Sequence, residues 1–138
     1  MLGGGEPHRL HLDDMILIKD NHIAIVGDVE EAVELAKEKV SFTKKIEVEI
    51  TKPSDAVKVA EAGADIIMLD NFSPEEVDEA VKRLKDAGLY KNVLLEISGG
   101  IDSETLLDYA LAKVNIISMG ELTHSAKSLN ISLEIIKK

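Results

Sequence analysis

The residues able to do chemistry in this 138-residue sequence gather at the ends of short apolar runs. Lys19 ends MILIK, with Asp20, Asn21 and His22 next; Glu49 sits near the end of IEVEI; Asp70 ends DIIMLD; Ser98, Gly99 and Gly100 follow VLLEI; Gly120 follows NIISM. Two of these groups suit an anion. In SGGI (98–101) a pair of glycines lies between an apolar run and a helix start near Asp102, so bare backbone N–H groups can approach a phosphate at a helix N-terminus. MGELTHS (119–125) repeats the arrangement, with hydroxyls at Thr123 and Ser125 after Gly120. Either loop alone is equally a tight turn with a helix cap. Their recurrence in adjacent units favours the anion reading.

The carboxylates come next. Glu49 and Asp70 end neighbouring apolar runs and would face one cavity if those runs are barrel strands, suited to ribose hydroxyls or to a Mg²⁺ bridging phosphate oxygens. The alternative is that Glu47 and Glu49 form the exposed face of an alternating strand. Arg9 and Lys19 offer cations for a carboxylate, the guanidinium through two parallel hydrogen bonds. The histidines, His8, His11, His22 and His124, do not form a zinc signature such as HExxH.

Positioning these groups requires a regular scaffold. ILIKD, IEVEI (46–50), DIIMLD (65–70), VLLEIS (93–98) and NIISMG (115–120) read as five strands, their unbroken apolar character matching parallel strands covered on both faces. Helical segments alternate with them. Asp28 with Glu31, Ser73 with Pro74 and Glu76, and Asp102 ahead of SETLLDYALAK are helix starts, and PSDAVKVAEAGA is a shorter helix of small residues. Val77, Ala80, Val81 and Leu84 make one apolar stripe, with Gly88 where that helix should end. The predicted class is therefore α/β, with about five parallel strands alternating with helices, either as an open doubly wound sheet or as a partial (β/α) barrel. Polar residues at all five strand ends favour the barrel, whose strand ends converge on one face, although a complete barrel takes about 250 residues.

Composition narrows the function. A net charge of −10 and only Phe42, Phe72, Tyr90 and Tyr109 as aromatics argue against a nucleic-acid surface. No apolar run reaches the roughly 20 residues of a membrane span, and the absence of cysteine rules out disulfides and thiolate metal sites. A cytoplasmic protein is expected.

In this order, GGGEPHRLHLDDMILIKDNHI, IEVEI, IIMLDN, LEISGGI and SMGELTHS resemble the C-terminal barrel portion of the quinolinate phosphoribosyltransferase family, also called nicotinate-nucleotide pyrophosphorylase (carboxylating). The resemblance implies an open α/β barrel, preceded in the family by an α/β sandwich domain and a first barrel segment. Neither precedes Met1 here, so residues 1–138 are read as a partial barrel domain. The implied reaction joins quinolinate to phosphoribosyl pyrophosphate with Mg²⁺, giving nicotinate mononucleotide, pyrophosphate and CO₂ for NAD biosynthesis.

By the same resemblance His8, Arg9 and Lys19 hold the quinolinate carboxylates, while Glu49 and Asp70 surround the ribose and the metal. Lys19, Glu49 and Asp70 are the implied catalytic groups. Ser98, Gly99, Gly100 and Gly120 cradle the 5′-phosphate, with His124 close by. Pro7 stands where the family usually has Asn, and the family's upstream Thr-Arg-Lys-Thr motif is not in the sequence. The expectation is a chain weakly active or inactive alone, acting as a homo-oligomer or with a complementing N-terminal part. Rival expectations are another phosphate-binding barrel enzyme and a non-catalytic, self-associating partial barrel.

Overall fold

The computed structural model describes residues 4–123 and 131–136. Each expected apolar run forms a strand: β1 (Ile16–Ile18), β2 (Ile46–Ile50), β3 (Ile66–Asp70), β4 (Leu94–Ser98) and β5 (Ile116–Ile117). Between them run α1 (Asp20–Val26), α2 (Val29–Lys39), α3 (Asp55–Ala62), α4 (Pro74–Asp86) and α5 (Leu106–Ala110). Among the described residues no helix is long and apolar enough to cross a membrane.

Local chemistry accounts for the helix starts. Asp28 is extended and accepts the amides of Glu30 at 2.9 Å and Glu31 at 3.1 Å, satisfying donors that the first turn of α2 leaves open. Ser73 and Glu76 form a reciprocal capping box, with Pro74 in the first turn of α4, where a missing N–H costs nothing. Val77, Ala80, Val81 and Leu84 are all buried, as their helical spacing requires.

The sheet is parallel throughout, in the order β1-β2-β3-β4-β5. Its two faces differ sharply. Ile18, Ile46, Val48, Ile50, Ile67, Leu69, Leu95 and Ile97 share one apolar cluster with Val33 of α2, Ala56 and Val59 of α3, and the α4 stripe. These helices therefore cover a single face, whereas a doubly wound sheet carries helices on both. Sequential strand order and one-sided helices together make this a barrel segment, an open one with edges at β1 and β5.

The opposite face is the inner one. The register aligns Leu17, Glu47, Ile66 and Leu94 in one row, Glu49, Met68, Glu96 and Ile116 in the next, and Asp70 beside Ser98 beyond them. Because side chains alternate along a strand, the polar members of these rows project together.

Two elements differ from expectation. Asp20, Asn21 and His22, in a stretch not among the helix starts read from the sequence, open α1: the Lys19 amide donates to Nδ1 of His22 at 2.9 Å, a side-chain cap that begins the helix directly after β1. The helix expected to start near Asp102 covers only Leu106–Ala110. Oδ1 of Asp102 accepts the amides of Glu104 and Thr105 at 3.0 and 2.9 Å and the Thr105 hydroxyl at 2.9 Å, holding residues 102–105 in a turn. These bonds keep the Asp102 carboxyl below its ordinary range, Thr105 contributing most.

Candidate active site

β1 and β2 bring the first pair of groups together. Lys19 ends β1 and Glu49 lies near the end of β2, where Lys19 Nζ donates to Glu49 Oε2 at 2.6 Å. Glu49 is 9% exposed and Lys19 48%, so the carboxylate is buried while the ammonium keeps access to solvent. The open reading of β2 as an exposed alternating strand is excluded, since all five of its residues are buried.

β3 and β4 supply the second group. Asp70 and Ser98 are register partners, and the chain turns immediately after each. Asn71 follows in a left-handed conformation (φ 55°), its side-chain amide donating to Asp70 Oδ2 at 2.8 Å and its backbone amide to the Ser98 carbonyl at 2.9 Å. Gly99 and Gly100 continue the turn at φ 93° and 63°. A Cβ on Gly99 would lie 2.5 Å from Oδ1 of Asn71 and 2.9 Å from its backbone nitrogen, so both conformation and space demand glycine.

An open cavity of about 880 Å³ lies over the inner face, lined by Ser98, Gly99, Gly100 and Gly120 together with His8 and Arg9. Gly120 opens a short 3₁₀ turn whose carbonyl accepts the Thr123 hydroxyl at 2.9 Å. The glycine loops are thus joined in one concavity, but not through a helix N-terminus: the amides of Glu104 and Thr105 are taken by Asp102, and that of Ser103 by Glu121 Oε2 at 2.8 Å. Lys19, Glu49 and Asp70 stand outside the cavity lining, at the strand mouths. His124, expected beside the cradle, lies outside the described residues.

Two buried carboxylates that sequence reasoning did not place in the site lie at it: Glu96 lines the cavity, and Glu47 meets His8, which also lines it. Glu47 is 0% and Glu96 1% exposed. His8 Nε2 lies 3.2 Å from Glu47 Oε2 and 3.7 Å from Glu96 Oε2, and Ser118 Oγ donates to Glu96 Oε1 at 2.6 Å. Burial, reinforced by the charge of Glu96 and a hydrogen bond shared with it, raises the Glu47 carboxyl from its ordinary 4.5 to about 8; Arg9 and Lys19 oppose the rise. Period two was the available signal: Glu47 shares a face with Glu49, and Glu96 with Ser98.

Glu49 and Asp70 suit Mg²⁺ by the chemistry of their donors. Mg²⁺ takes hard oxygens, commonly one or two carboxylates with water and substrate phosphate completing the octahedron. Asp70 is half-buried at the end of β3, where such partners can enter, whereas Glu49 is buried and already accepts from Lys19.

One-sided helices, sequential parallel strands and an inner face whose polar residues collect at the strand ends define an α/β-barrel protein with its candidate site at the carboxyl-terminal mouth. More narrowly, the chain belongs to the family described as quinolinate phosphoribosyl transferase, C-terminal domain, whose sequence model matches residues 1–134. It is 53% identical over 134 residues to a probable nicotinate-nucleotide pyrophosphorylase [carboxylating] of Methanothermobacter thermautotrophicus, covering 97% of this chain and 48% of that one. The nicotinate-nucleotide pyrophosphorylase [carboxylating] of Homo sapiens is 41% identical over 138 residues, covering 100% and 46%. The crystal structure of NadC from Streptococcus pyogenes superposes with a TM-score of 0.82 at 43% identity, over 94% of this chain and 44% of that one. The chain spans about half the length of these relatives.

Proposed function

We propose that this chain carries the phosphoribosyl-binding half of a cytoplasmic quinolinate phosphoribosyltransferase of NAD biosynthesis. In that reaction the pyridine nitrogen of quinolinate bonds to C1 of the ribose, pyrophosphate departs, and the carboxylate beside the nitrogen leaves as CO₂ and is replaced by a proton. The observation that carries the reading is the joining of Ser98, Gly99, Gly100 and Gly120 with His8 and Arg9 around one cavity.

The roles follow from chemistry. Ser98 and the two left-handed glycines cradle the 5′-phosphate, and Gly120 forms the opposite wall. Arg9, His8 and Lys19 receive the quinolinate carboxylates by charge-assisted hydrogen bonds. Glu49 and Asp70 face the ribose, where their negative charge stabilises the cationic character that C1 develops as pyrophosphate departs. The same two carboxylates would hold Mg²⁺, which would supply charge neutralisation for the pyrophosphate.

The proposed whole protein works as a homo-oligomer or with a complementing N-terminal part, and the chain alone is weakly active or inactive. Its spanning only about half the length of its relatives supports this. The test is calorimetric titration with phosphoribosyl pyrophosphate, with and without Mg²⁺. Metal-dependent binding that disappears in Asp70→Ala is expected; no binding by the folded chain would overturn the reading of the cradle.

A further inference from the structure

Among the described residues, two buried carboxyls, Glu47 and Glu96, meet beside the cavity with only His8 within salt-bridge distance of them. Among the same residues, Glu47 Oε1 and Glu96 Oε2 are buried with no donor from another side chain or the backbone; only a proton shared between the two carboxyls joins them. A buried acceptor left without a donor costs about 1–3 kcal/mol, more when charged. Lys19 is committed to Glu49 on the neighbouring row.

The geometry around these atoms is that of a coordination site. His8, Glu47 and Glu96 each present one ligand atom, all within 4.8 Å of one another. His8 Nε2 is 3.2 Å from Glu47 Oε2 and 3.7 Å from Glu96 Oε2. Ligand atoms around a tetrahedral ion bound at about 2.0–2.1 Å stand about 3.3 Å apart. One imidazole with two carboxylates is a mixed nitrogen and oxygen set, which suits Zn²⁺ better than the all-oxygen octahedron that Mg²⁺ prefers.

We propose that Glu47, Glu96 and His8 form a second cation site, for a Zn²⁺-like divalent ion, separate from the Glu49 and Asp70 pair. The three ligands come from β2, β4 and the segment before β1, so no linear spacing marks the site. Ser118 orients the Glu96 carboxylate through its other oxygen, as a supporting residue does at a metal centre. His8 and Glu96 both line the cavity, so the fourth position of a bound ion opens toward it and is available to water or an entering anion. The proposal stands on side-chain geometry; with the ion bound, His8 gives Nε2 to it and keeps only its neutral Nδ1–H for the carboxylate assigned to it above.

The test uses the purified chain, stripped of metal with a chelator, titrated with ZnCl₂ by calorimetry and with CoCl₂ by visible absorption. Expected are one Zn²⁺ per chain and the intense absorption of four-coordinate Co²⁺. Glu96→Gln and His8→Ala should each weaken binding at least about tenfold, while Asp70→Asn leaves it unchanged. His8 precedes β1 and lies outside the helix-side core, so His8→Ala keeps the test valid if Glu96→Gln fails to fold. No saturable Zn²⁺ binding would overturn the proposal, indicating that the carboxyls satisfy each other with a shared proton. Unchanged affinity in His8→Ala, or binding lost in Asp70→Asn, would overturn it by placing the ion elsewhere. Failure of phosphoribosyl pyrophosphate to bind would leave these readouts untouched.

Discussion

Lys19 Nζ lies 2.6 Å from Glu49 Oε2, a cation and an anion from adjacent parallel strands neutralising one another at the mouth of the barrel segment. The ammonium has three donors and uses one here, leaving capacity for a second anion. Lys19→Ala should therefore lower quinolinate affinity by about 2 kcal/mol, the scale of a charged hydrogen bond, and phosphoribosyl pyrophosphate affinity by less. Parallel titrations with both ligands check this, and equal losses would contradict the assignment of Lys19 to the carboxylates.

Gly99 tests the loop that follows β4. With φ at 93° and Asn71 in the space a Cβ would fill, Gly99→Ala should cost about 1–3 kcal/mol in local strain and displace the loop. The expected result is a lower Tm together with lost phosphoribosyl pyrophosphate binding. Unchanged binding would separate this loop from the phosphate site.

Acid and base should act asymmetrically through Glu47. Its carboxyl titrates near 8 when folded against 4.5 ordinarily, so between these values the folded chain holds more protons than the unfolded one. Stability contributed by this group is greatest below about pH 4.5, declines as pH rises, and is lost above about 8. Melting curves of the chelator-treated, metal-free chain across this window should show that decline superimposed on the other titrations, and Glu47→Gln should flatten it. A slope unaltered by the substitution would contradict the assignment.

Packing supplies a contrast within the helices. Leu84 of α4 is fully buried in the core, whereas Leu107 of α5 is 75% exposed. Leu84→Ala should destabilise by about 2–5 kcal/mol, and Leu107→Ala by no more than about 0.5 kcal/mol. Urea denaturation of both variants checks the ranking.

The strands were legible because each is an unbroken apolar run, and the starts of α2 and α4 because Asp28, Ser73 and Glu76 announce themselves by residue type and spacing. The barrel segment was favoured over a doubly wound sheet by polar residues at all five strand ends; what the structure added is which face Val33, Val59 and Val77 cover, a tertiary fact. α1 escaped notice because its polar first turn, Asp20-Asn21-His22, reads as a loop until the Lys19 amide finds the His22 ring. Asp102 misled in the opposite sense, capping a turn that delays α5 rather than starting it. In the site, residues after an apolar run were visible, while Glu47 and Glu96 were hidden by lying inside one. Their burial depends on Met68 and the neighbouring strands closing over the inner face, which local pattern does not encode.

Strand order equal to chain order has a kinetic consequence. Among the described residues every strand is hydrogen-bonded only to its immediate predecessor and successor, so none of these pairings must wait for a distant part of the chain. Loop-closure entropy grows slowly with length, and here each closure spans one connection, of two helices between β1 and β2 and of one helix elsewhere. β3 and β4, joined through the long, doubly capped α4 and paired along five residue positions, form a natural starting unit. Growth can then proceed outward in both directions, toward three-residue β1 and two-residue β5, so that the ends assemble last and open first.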